Sequence, residues 1–275
     1  MLKENTLFGF VDKVDIAIRR LKLHERKTNG EGYYVAFSGG KDSCVVLDLC
    51  QRAGVKYDAH YNLTTVDPPE LIRFIQKYHL DIWENRNQPE LSMWQLIEKK
   101  RMPPTRIARY CCEKLKEGGG VGRIVVTGIR HQESAKRAKR GMAEPCYNKK
   151  KQYLHPIIDW SADEVWEYIH TYHVPYCSLY DEGFKRLGCV MCPYQGSKGM
   201  RRDMKRWPRI SESYRQACIR AYNKAKADGL WQEERRKNWR SGDDMFRWWI
   251  GENHELQEDD RLISLFGMMM SETDT

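Results

Sequence analysis

Hydrophobic positions near the start of the chain follow a helical period. Between residues 6 and 25 they recur three or four positions apart with charges between them, which predicts an amphipathic helix. These apolar positions are Leu7, Phe10, Val11, Val14, Ile18 and Leu21. Residues 33–37 are aromatic and β-branched and predict a short strand. Helical spacing resumes beyond residue 43 and ends at Gly54, a residue suited to a helix C-terminal cap.

Strand and helix patterns then alternate through the first two thirds of the chain. Four further strands are predicted at residues 57–62, 81–84, 123–129 and 153–157. Helices are predicted at residues 69–78, at residues 91–100, around Cys112, and after the capping sequence that begins at Ser161. This alternation favours an α/β fold with a doubly wound, mostly parallel five-stranded sheet. Ligands of such sheets bind at the carboxyl ends of the strands.

The composition changes after Pro193. Residues 196–275 are rich in Arg, Lys and Trp and are mostly helical by pattern, so we predict two domains, 1–195 and a helical C-terminal appendage at 196–275. Basic residues interleaved with tryptophan also suit a nucleic-acid-binding module, because they can contact phosphates and stack on bases. The competing interpretation is a tryptophan core with solvated arginines on the opposite helix faces.

Composition and charge narrow the class of protein. With 41% hydrophobic and 31% charged residues, the chain can bury a core. Its 47 basic and 38 acidic residues give a net charge of +9, which favours nucleotides, phosphates or nucleic acid as partners. No stretch approaches the ~20 apolar residues of a membrane span. The first residues contain no apolar secretory signal, so we expect a cytoplasmic protein without a membrane partner.

A glycine-rich loop joins the first predicted strand to its helix. Glycine lets the backbone approach a phosphate and aim N–H groups at it, while the helix N-terminus adds partial positive charge. Lys41 can neutralise phosphate charge, and Asp42 can cap the helix. The spacing is not that of the Walker motif, and a tight turn that uses glycine only for geometry is the alternative. The predicted phosphate-binding residues are Ser38, Gly39, Gly40, Lys41, Asp42 and Ser43.

Two arginines follow the strand predicted to end near Gly128. Arg130 and Arg137 carry guanidinium groups suited to bidentate contacts with phosphate or sulfate. On spacing alone, a solvated basic turn explains them equally well. The basic run at residues 136–151 has little apolar content, and we interpret it as a flap over a polyanionic ligand.

Nine cysteines cannot all pair within one chain, and they suit metal ligands, thiols or core residues in a reducing compartment. Cys111 and Cys112 are adjacent, and Cys189 and Cys192 form a Cys-x-x-Cys motif. Four thiolates from two segments suit either zinc or an iron–sulfur cluster. Neighbours on a helix diverge by about 100°, which favours a 4Fe–4S cluster over a single ion. Cys177 is an alternative ligand.

These motifs together resemble the phosphoadenosine phosphosulfate reductase family of the adenine nucleotide α-hydrolase-like superfamily. The resemblance covers residues 30–195, and the glycine-rich loop is similar to the family's PP-loop. It implies a PP-loop nucleotide-binding domain with an adenine nucleotide as partner. The further nucleotide-binding residues that it implies are Asp67, Gly128, Arg130 and Arg137.

The cysteine pattern resembles that of assimilatory adenylylsulfate reductases, whose four cysteines hold a 4Fe–4S cluster. In those reductases a lysine lies near both the cluster and the substrate. The resemblance implies that Lys116 has this position here. The implied cluster ligands are Cys111, Cys112, Cys189 and Cys192.

The activity implied by these resemblances is adenylyl transfer from ATP. Sulfonucleotide reductases carry their attacking cysteine in a C-terminal Glu-Cys-Gly segment, whereas Cys218 is the last cysteine here. The loop has the form typical of ATP-using members, such as DNA phosphorothioation ATPases and ATP sulfurylase small subunits. We therefore expect an ATP pyrophosphatase-type enzyme that uses ATP with Mg²⁺, with catalytic roles for Lys41, Lys116 and Arg130. A sulfur donor or electron-donor protein is the implied partner, and a sulfonucleotide reductase with a borrowed thiol is the alternative.

Overall fold

A computed structural model describes residues 1–7, 9–230 and 239–252. The strands in this part of the chain are β1 (Lys3–Thr6), β2 (Gly9–Asp12), β3 (Tyr33–Phe37), β4 (Tyr57–Tyr61), β5 (Ile124–Val126), β6 (Ala143–Cys146) and β7 (Lys151–Leu154).

The α-helices of the described residues alternate with these strands and then continue alone. They are α1 (Lys13–Glu25), α2 (Lys41–Ala53), α3 (Pro69–Tyr78), α4 (Leu80–Glu84), α5 (Met93–Lys100), α6 (Tyr110–Lys116), α7 (Ala162–Thr171), α8 (Gly196–Arg206), α9 (Pro208–Ala227) and α10 (Gly242–Trp249).

The main sheet has five strands in the order β4-β3-β5-β7-β6. β3 pairs in parallel with β4 and β5, and β5 pairs in parallel with β7. β6 alone is antiparallel, along the outer side of β7. Val35, Val126 and Leu154 are fully buried in the central strands. The predicted α/β fold with a mostly parallel five-stranded sheet is therefore confirmed.

Capping explains where two of the predicted helices begin and end. Gly40 precedes α2 in an extended conformation, and Gly54 ends α2 in the left-handed region at φ 66°. The Ser161 side chain accepts the Glu164 N–H, and the Glu164 carboxylate accepts the Ser161 N–H at 2.8 Å. Both the cap at Gly54 and the capping box of α7 were predicted and are confirmed.

The prediction for the first residues was partly wrong. A helix was predicted over residues 6–25, but α1 begins only at Lys13, and β1 and β2 form an antiparallel pair before it. The Asp12 carboxylate accepts the N–H groups of Val14 and Asp15, which fixes the start of the helix. Gly9 has φ 113°, a conformation that a helix does not contain.

Two further segments differ from the predictions. The strand predicted at residues 81–84 is the helix α4, in which Trp83 N–H donates to His79 and Asn85 N–H donates to Asp81. The basic segment 136–151, predicted as a flap, contains the strand β6. As an edge strand β6 pairs only with β7, so it forms without the apolar alternation of an internal strand.

The structure divides into two compact units. The first unit comprises Met1–Asn62, Pro69–Asn87 and Gly118–Leu187. The second comprises Leu63–Pro68, Gln88–Glu117 and the described residues from Gly188 onwards. The predicted division at residue 195 is a single cut, whereas these units are interleaved along the chain. Within the described ranges, no helix has the length and apolar character needed to cross a membrane.

Candidate functional site

The predicted phosphate loop lies in the first unit, at the carboxyl end of β3. Phe37 ends the strand, and α2 begins at Lys41. Gly39 has φ 71°, and a Cβ there would lie 2.7 Å from Leu71 Cδ1, so this position requires glycine. The predicted order of strand, loop and helix is confirmed. It brings the loop backbone to the start of a helix, where N–H groups lack partners within the helix.

Two serine hydroxyls hold the loop in shape. Ser43 Oγ donates to the Gly40 carbonyl at 2.8 Å and accepts the Ser38 N–H at 3.2 Å. The hydroxyls of Ser38 and Ser43 are themselves 3.2 Å apart. Both predicted serines therefore face the same turn, and Ser43 links its two ends.

Lys41 is nearly buried, although it is the first residue of α2. Its side chain is 7% exposed, and Nζ donates to Asp42 Oδ2 at 2.9 Å. The Lys41 N–H donates to Tyr180 Oη at 2.9 Å, and Nζ lies 5.8 Å from the Tyr180 ring centroid. Burial raises the pKa of Tyr180, so its hydroxyl stays protonated. Tyr180 thus belongs to the site, although the sequence analysis did not single it out.

Asp42 joins the loop to Arg130. Arg130 Nε donates to Asp42 Oδ1 at 2.6 Å, and the arginine is 4% exposed. The prediction that Asp42 caps α2 was wrong: Gly40 is the N-cap residue, and two cations occupy the Asp42 carboxylate. Gly128 passes close to this group, because a Cβ there would lie 2.8 Å from the Asp42 carbonyl carbon and oxygen. The predicted residues Asp42, Gly128 and Arg130 are therefore brought together.

These groups line a cavity of about 370 Å³ at the carboxyl ends of β3 and β5. Arg137 also lines it and is ion-paired with Glu133. Five cations face two carboxylates in the cavity wall, so the cavity favours an anionic ligand. The charged residues of the wall are Lys41, Asp42, Arg130, Glu133, Arg137, Lys185 and Arg186. Lys185 and Arg186 were not predicted from the sequence. There they are visible only as a basic pair shortly before the Cys-x-x-Cys motif.

The four predicted cluster ligands all lie in the second unit. Cys111 and Cys112 occupy the first turn of α6, so they are indeed adjacent helix positions. Cys189 is buried and Cys192 is half-buried. Two hydrogen bonds from backbone N–H groups fix their loop: Val190 N–H donates to the Val66 carbonyl, and Met191 N–H donates to the Asp203 carboxylate oxygen Oδ2, each at 2.9 Å.

The four thiols influence one another. A hydrogen bond from the Cys111 thiol lowers the pKa of Cys112, and Arg109, whose Nη2 is 3.6 Å from Cys112 Sγ, lowers it further. The same hydrogen bond raises the pKa of Cys111, and the charges of Cys189 and Cys192 add to that rise. Among the residues that the structure describes, no three His, Cys, Asp or Glu side chains form a metal-binding group.

Lys116 lies beside this cysteine group. The charge of Cys189 raises the pKa of Lys116, and the Asp67 carboxylate adds to the effect. Burial raises the pKa of Cys189, and Lys116 opposes that rise. Asp67 Oδ2 accepts the Thr64 N–H at 2.9 Å. Asp67 therefore lies in the second unit with Lys116, whereas the other predicted nucleotide-binding residues lie in the first.

Cys177, the alternative ligand, lies in the first unit. It is fully buried, and burial raises its pKa. Its charge also contributes to the raised pKa of Cys44, after burial and Asp42. The structure thus places Cys177 in a different compact unit from the four predicted ligands.

Four tryptophans in the described part of the C-terminal segment are buried. Trp207, Trp239, Trp248 and Trp249 are each less than 10% exposed, and Trp249 Nε1 donates to a buried backbone carbonyl at 2.6 Å. These four rings pack inside the second unit and do not present faces for base stacking. Trp231 and the basic residues 235–237 lie outside the described residues.

Comparison with known proteins identifies the family. The phosphoadenosine phosphosulfate reductase domain matches residues 32–195. An uncharacterized protein of Methanocaldococcus jannaschii is 32% identical over 193 residues, which cover 66% of this chain and 40% of that protein. An adenosine 5′-phosphosulfate reductase of Oceanobacillus iheyensis is 26% identical over 197 residues, 65% of this chain and 78% of the reductase.

The shared region is only part of some relatives. The chain spans less than half of the archaeal protein. Among solved structures, a phosphoadenylyl-sulfate reductase from Candida auris in a phosphate complex is 19% identical, with a TM-score of 0.45 over 63% of this chain and 87% of that one. Since the reductase domain matches more than half of the 275 residues, the chain belongs to the phosphoadenosine phosphosulfate reductase domain family.

Proposed function

We propose that this chain is an ATP-dependent enzyme that transfers an adenylyl group to an acceptor in a sulfur-handling reaction. The observation that carries the proposal is the cavity at the carboxyl ends of β3 and β5. There the glycine-rich loop, Lys41 and Arg130 converge on one space with an excess of positive charge. Adenosine phosphates supply the complementary charge.

The proposed mechanism is positioning and charge neutralisation. The loop N–H groups and the serine hydroxyls bind phosphate oxygens, while Lys41 and Arg130 neutralise the charge that develops. An acceptor atom forms a bond to the α-phosphorus, the bond from phosphorus to the bridging oxygen breaks, and pyrophosphate leaves. Asp42 holds both cations before the ligand arrives, so little reorganisation is needed.

Mg²⁺ is proposed to enter with the triphosphate. The two carboxylates of the cavity wall, Asp42 and Glu133, are both engaged by cations of the same wall. Phosphate oxygens and water are therefore its expected ligands, which is the usual arrangement for this ion. Its contribution when bound is to neutralise the charge of the phosphates.

The second unit is proposed to hold a 4Fe–4S cluster on Cys111, Cys112, Cys189 and Cys192. The proposal is supported by two observations: all four residues belong to one compact unit, and the charges of Cys112, Cys189 and Cys192 each contribute to the raised pKa of Cys111. Adjacent positions on α6 diverge by about 100°, which suits ligands that bind different irons. When bound, the cluster would supply electrons or sulfur. Lys116 would compensate thiolate charge beside Cys189.

A sulfonucleotide reductase is the second candidate. It is favoured by the 26% identity to an adenosine 5′-phosphosulfate reductase over 65% of the chain. This candidate requires the cavity to bind adenylylsulfate or its 3′-phosphorylated form and requires a thiolate to attack the sulfur.

The deciding experiment uses full-length protein purified without oxygen. Binding of ATP, adenylylsulfate and 3′-phosphoadenylylsulfate is measured by titration, and iron, sulfide and zinc are counted in the same sample. Pyrophosphate release from ATP is followed with an oligonucleotide or a persulfide-bearing protein as acceptor. We expect ATP binding, acceptor-dependent pyrophosphate release, and iron with sulfide. Sulfite release without ATP binding would select the second candidate, and zinc without iron would contradict the cluster.

A further inference from the structure

The cations of the nucleotide cavity differ in how they are compensated. Lys41 and Arg130 share the Asp42 carboxylate, and Arg137 is paired with Glu133. Lys185 and Arg186 line the same cavity, yet within the described residues neither forms an ion pair with an acidic group. The uncompensated positive charge of this wall therefore lies on Lys185 and Arg186.

The segment that carries this pair is connected to the phosphate loop. Gly183 N–H donates to the Tyr180 carbonyl, and Phe184 N–H donates to the Leu179 carbonyl, each at 3.1 Å. Tyr180 Oη in turn accepts the Lys41 N–H at 2.9 Å. Lys185 and Arg186 are themselves exposed, whereas Lys41 and Arg130 are buried. The pair thus lies on the rim of the cavity, and the compensated cations lie at its base.

We propose that Lys185 and Arg186 form a subsite for a phosphate group beyond the first phosphate of a bound adenine nucleotide. The inference rests on the proposed nucleotide function of this cavity. Under the proposed function, the buried groups of the loop, Lys41 and Arg130 contact the phosphate oxygens at the base of the cavity. A further phosphate brings additional charge, and Lys185 and Arg186 are the lining cations not already engaged by a carboxylate.

Two nucleotide classes carry such a second phosphate. In ATP it extends the 5′-chain, and in a 3′-phosphorylated sulfonucleotide it is attached to the ribose. The subsite recognises the shared chemistry, which is an anionic phosphate group outside the base of the cavity. Because both side chains are exposed, we expect about a tenfold effect at low salt, which weakens as ionic strength rises.

The test compares Lys185→Ala/Arg186→Ala with Arg19→Ala/Lys22→Ala of α1 in the full chain. The control removes the same charge from exposed residues of the same unit that do not line the cavity. Kd values are measured for AMP, ATP, adenylylsulfate and 3′-phosphoadenylylsulfate at several salt concentrations. We expect the first variant to lose about tenfold in affinity for ATP or for the 3′-phosphorylated nucleotide, while AMP changes less than twofold.

The outcomes separate this proposal from the wider one. Loss confined to ATP assigns the 5′-chain, and loss confined to 3′-phosphoadenylylsulfate assigns the ribose phosphate while counting against the ATP-dependent function. An equal loss of affinity for AMP and ATP would indicate only a general electrostatic attraction of the nucleotide by the positive charge, and it would overturn the subsite. It is also overturned if the control variant loses as much affinity, or if wild-type protein binds ATP no more tightly than AMP and 3′-phosphoadenylylsulfate no more tightly than adenylylsulfate; in the last case the nucleotide site itself remains.

Discussion

At the residue scale, the chemistry of the first unit centres on Asp42. Its two carboxylate oxygens contact different cations, Lys41 at 2.9 Å and Arg130 at 2.6 Å. Both cations are nearly buried, so an unpaired charge at either position would be costly. Asp42 therefore stabilises the empty site, and an anionic ligand can take over part of the charge compensation when it binds.

Lys41→Met is expected to weaken ATP binding without unfolding the protein. Methionine keeps an unbranched apolar side chain in the buried space, while Asp42 retains Arg130 as its partner. We expect the Kd for ATP to rise at least about tenfold and the free energy of unfolding to change by about 1 kcal/mol or less. Titration and urea unfolding measure the two quantities. The control is Lys22→Met on the exposed side of α1. Unchanged ATP affinity in Lys41→Met would show that the loop is not part of the ATP-binding site.

His155 is expected to make the protein less stable in mild acid. It is fully buried, with Nδ1 2.7 Å from the Thr127 hydroxyl and Nε2 3.5 Å from Glu144. Burial lowers the pKa of His155 to about 4, Arg140 and Arg137 add to the lowering, and Glu144 opposes it. Between pH 6.5 and about 4 the unfolded chain binds a proton that the native state excludes, so stability falls as pH falls.

The measurement is urea unfolding at pH 7 and pH 5 for wild type and His155→Gln. Between pH 7 and pH 5 the free energy of unfolding of wild-type protein should fall, and His155 should account for about 2 kcal/mol of that decrease. Because glutamine does not titrate, the free energy of unfolding of the variant should decrease by correspondingly less between the two pH values. The same pH dependence in both proteins would contradict the buried neutral histidine.

At the element scale, regular segments were predictable and short ones were not. β3 and α2 were found because an aromatic strand, a glycine loop and an apolar helix follow one another. Residues 81–84 contain one buried apolar position, Ile82, and a run this short fits a strand or a helix turn equally well. β6 was missed because edge pairing with β7 needs no apolar alternation.

In the candidate site, the contiguous loop residues were predictable from the sequence, whereas the residues that reach the cavity from distant segments were not. The loop residues are contiguous, so their pattern is local and visible in the sequence. Tyr180, Lys185 and Arg186 reach the cavity from a short 3-10 turn and the loop after it, more than a hundred residues further along the chain. Long-range convergence of this kind depends on tertiary contacts, such as the hydrogen bond from Lys41 N–H to Tyr180, which no sequence period encodes.

The next prediction concerns the cysteines of α6 and of the loop that carries Cys189 and Cys192. Cys111→Ser should lower the iron and sulfide content of protein purified without oxygen, because a lost thiolate leaves one iron without a protein ligand. Cys177→Ser is the matched control: Cys177 belongs to the first unit, whereas the four proposed ligands belong to the second, so this variant should keep its iron. Metal analysis measures both. If Cys177→Ser loses the iron and Cys111→Ser keeps it, the proposed ligand set is wrong.

At the scale of the whole molecule, the chain divides its chemistry between two interleaved units. The phosphate loop, Arg130 and Arg137 belong to the first, and the cysteine group with Lys116 and Asp67 belongs to the second. The chain passes from one to the other several times. Residues distant in sequence therefore assemble each site, and a single cut at residue 195 does not describe this arrangement.

The burial of the nine cysteines bears on the choice between the two candidate reactions. Of nine cysteines, five are buried, and burial raises the pKa of Cys44, Cys50 and Cys218. If the four proposed cluster ligands are set aside, Cys146 is the remaining half-exposed thiol. A reductase needs a thiolate that reaches the nucleotide sulfur, and Cys146 is the thiol to consider for that role among these nine.

Cys146 lies at the wrong edge of the sheet for that role. It pairs with Lys151 at the start of β7, and the parallel pairing places the starts of β7, β5 and β3 at one edge. The phosphate loop follows the other end of β3, about 13 Å away along five residues. We therefore expect anaerobically prepared protein to release no sulfite from adenylylsulfate or its 3′-phosphorylated form in the presence of thioredoxin. Sulfite assays on wild type and Cys146→Ser test this, and robust turnover that disappears in the variant would establish the reductase instead.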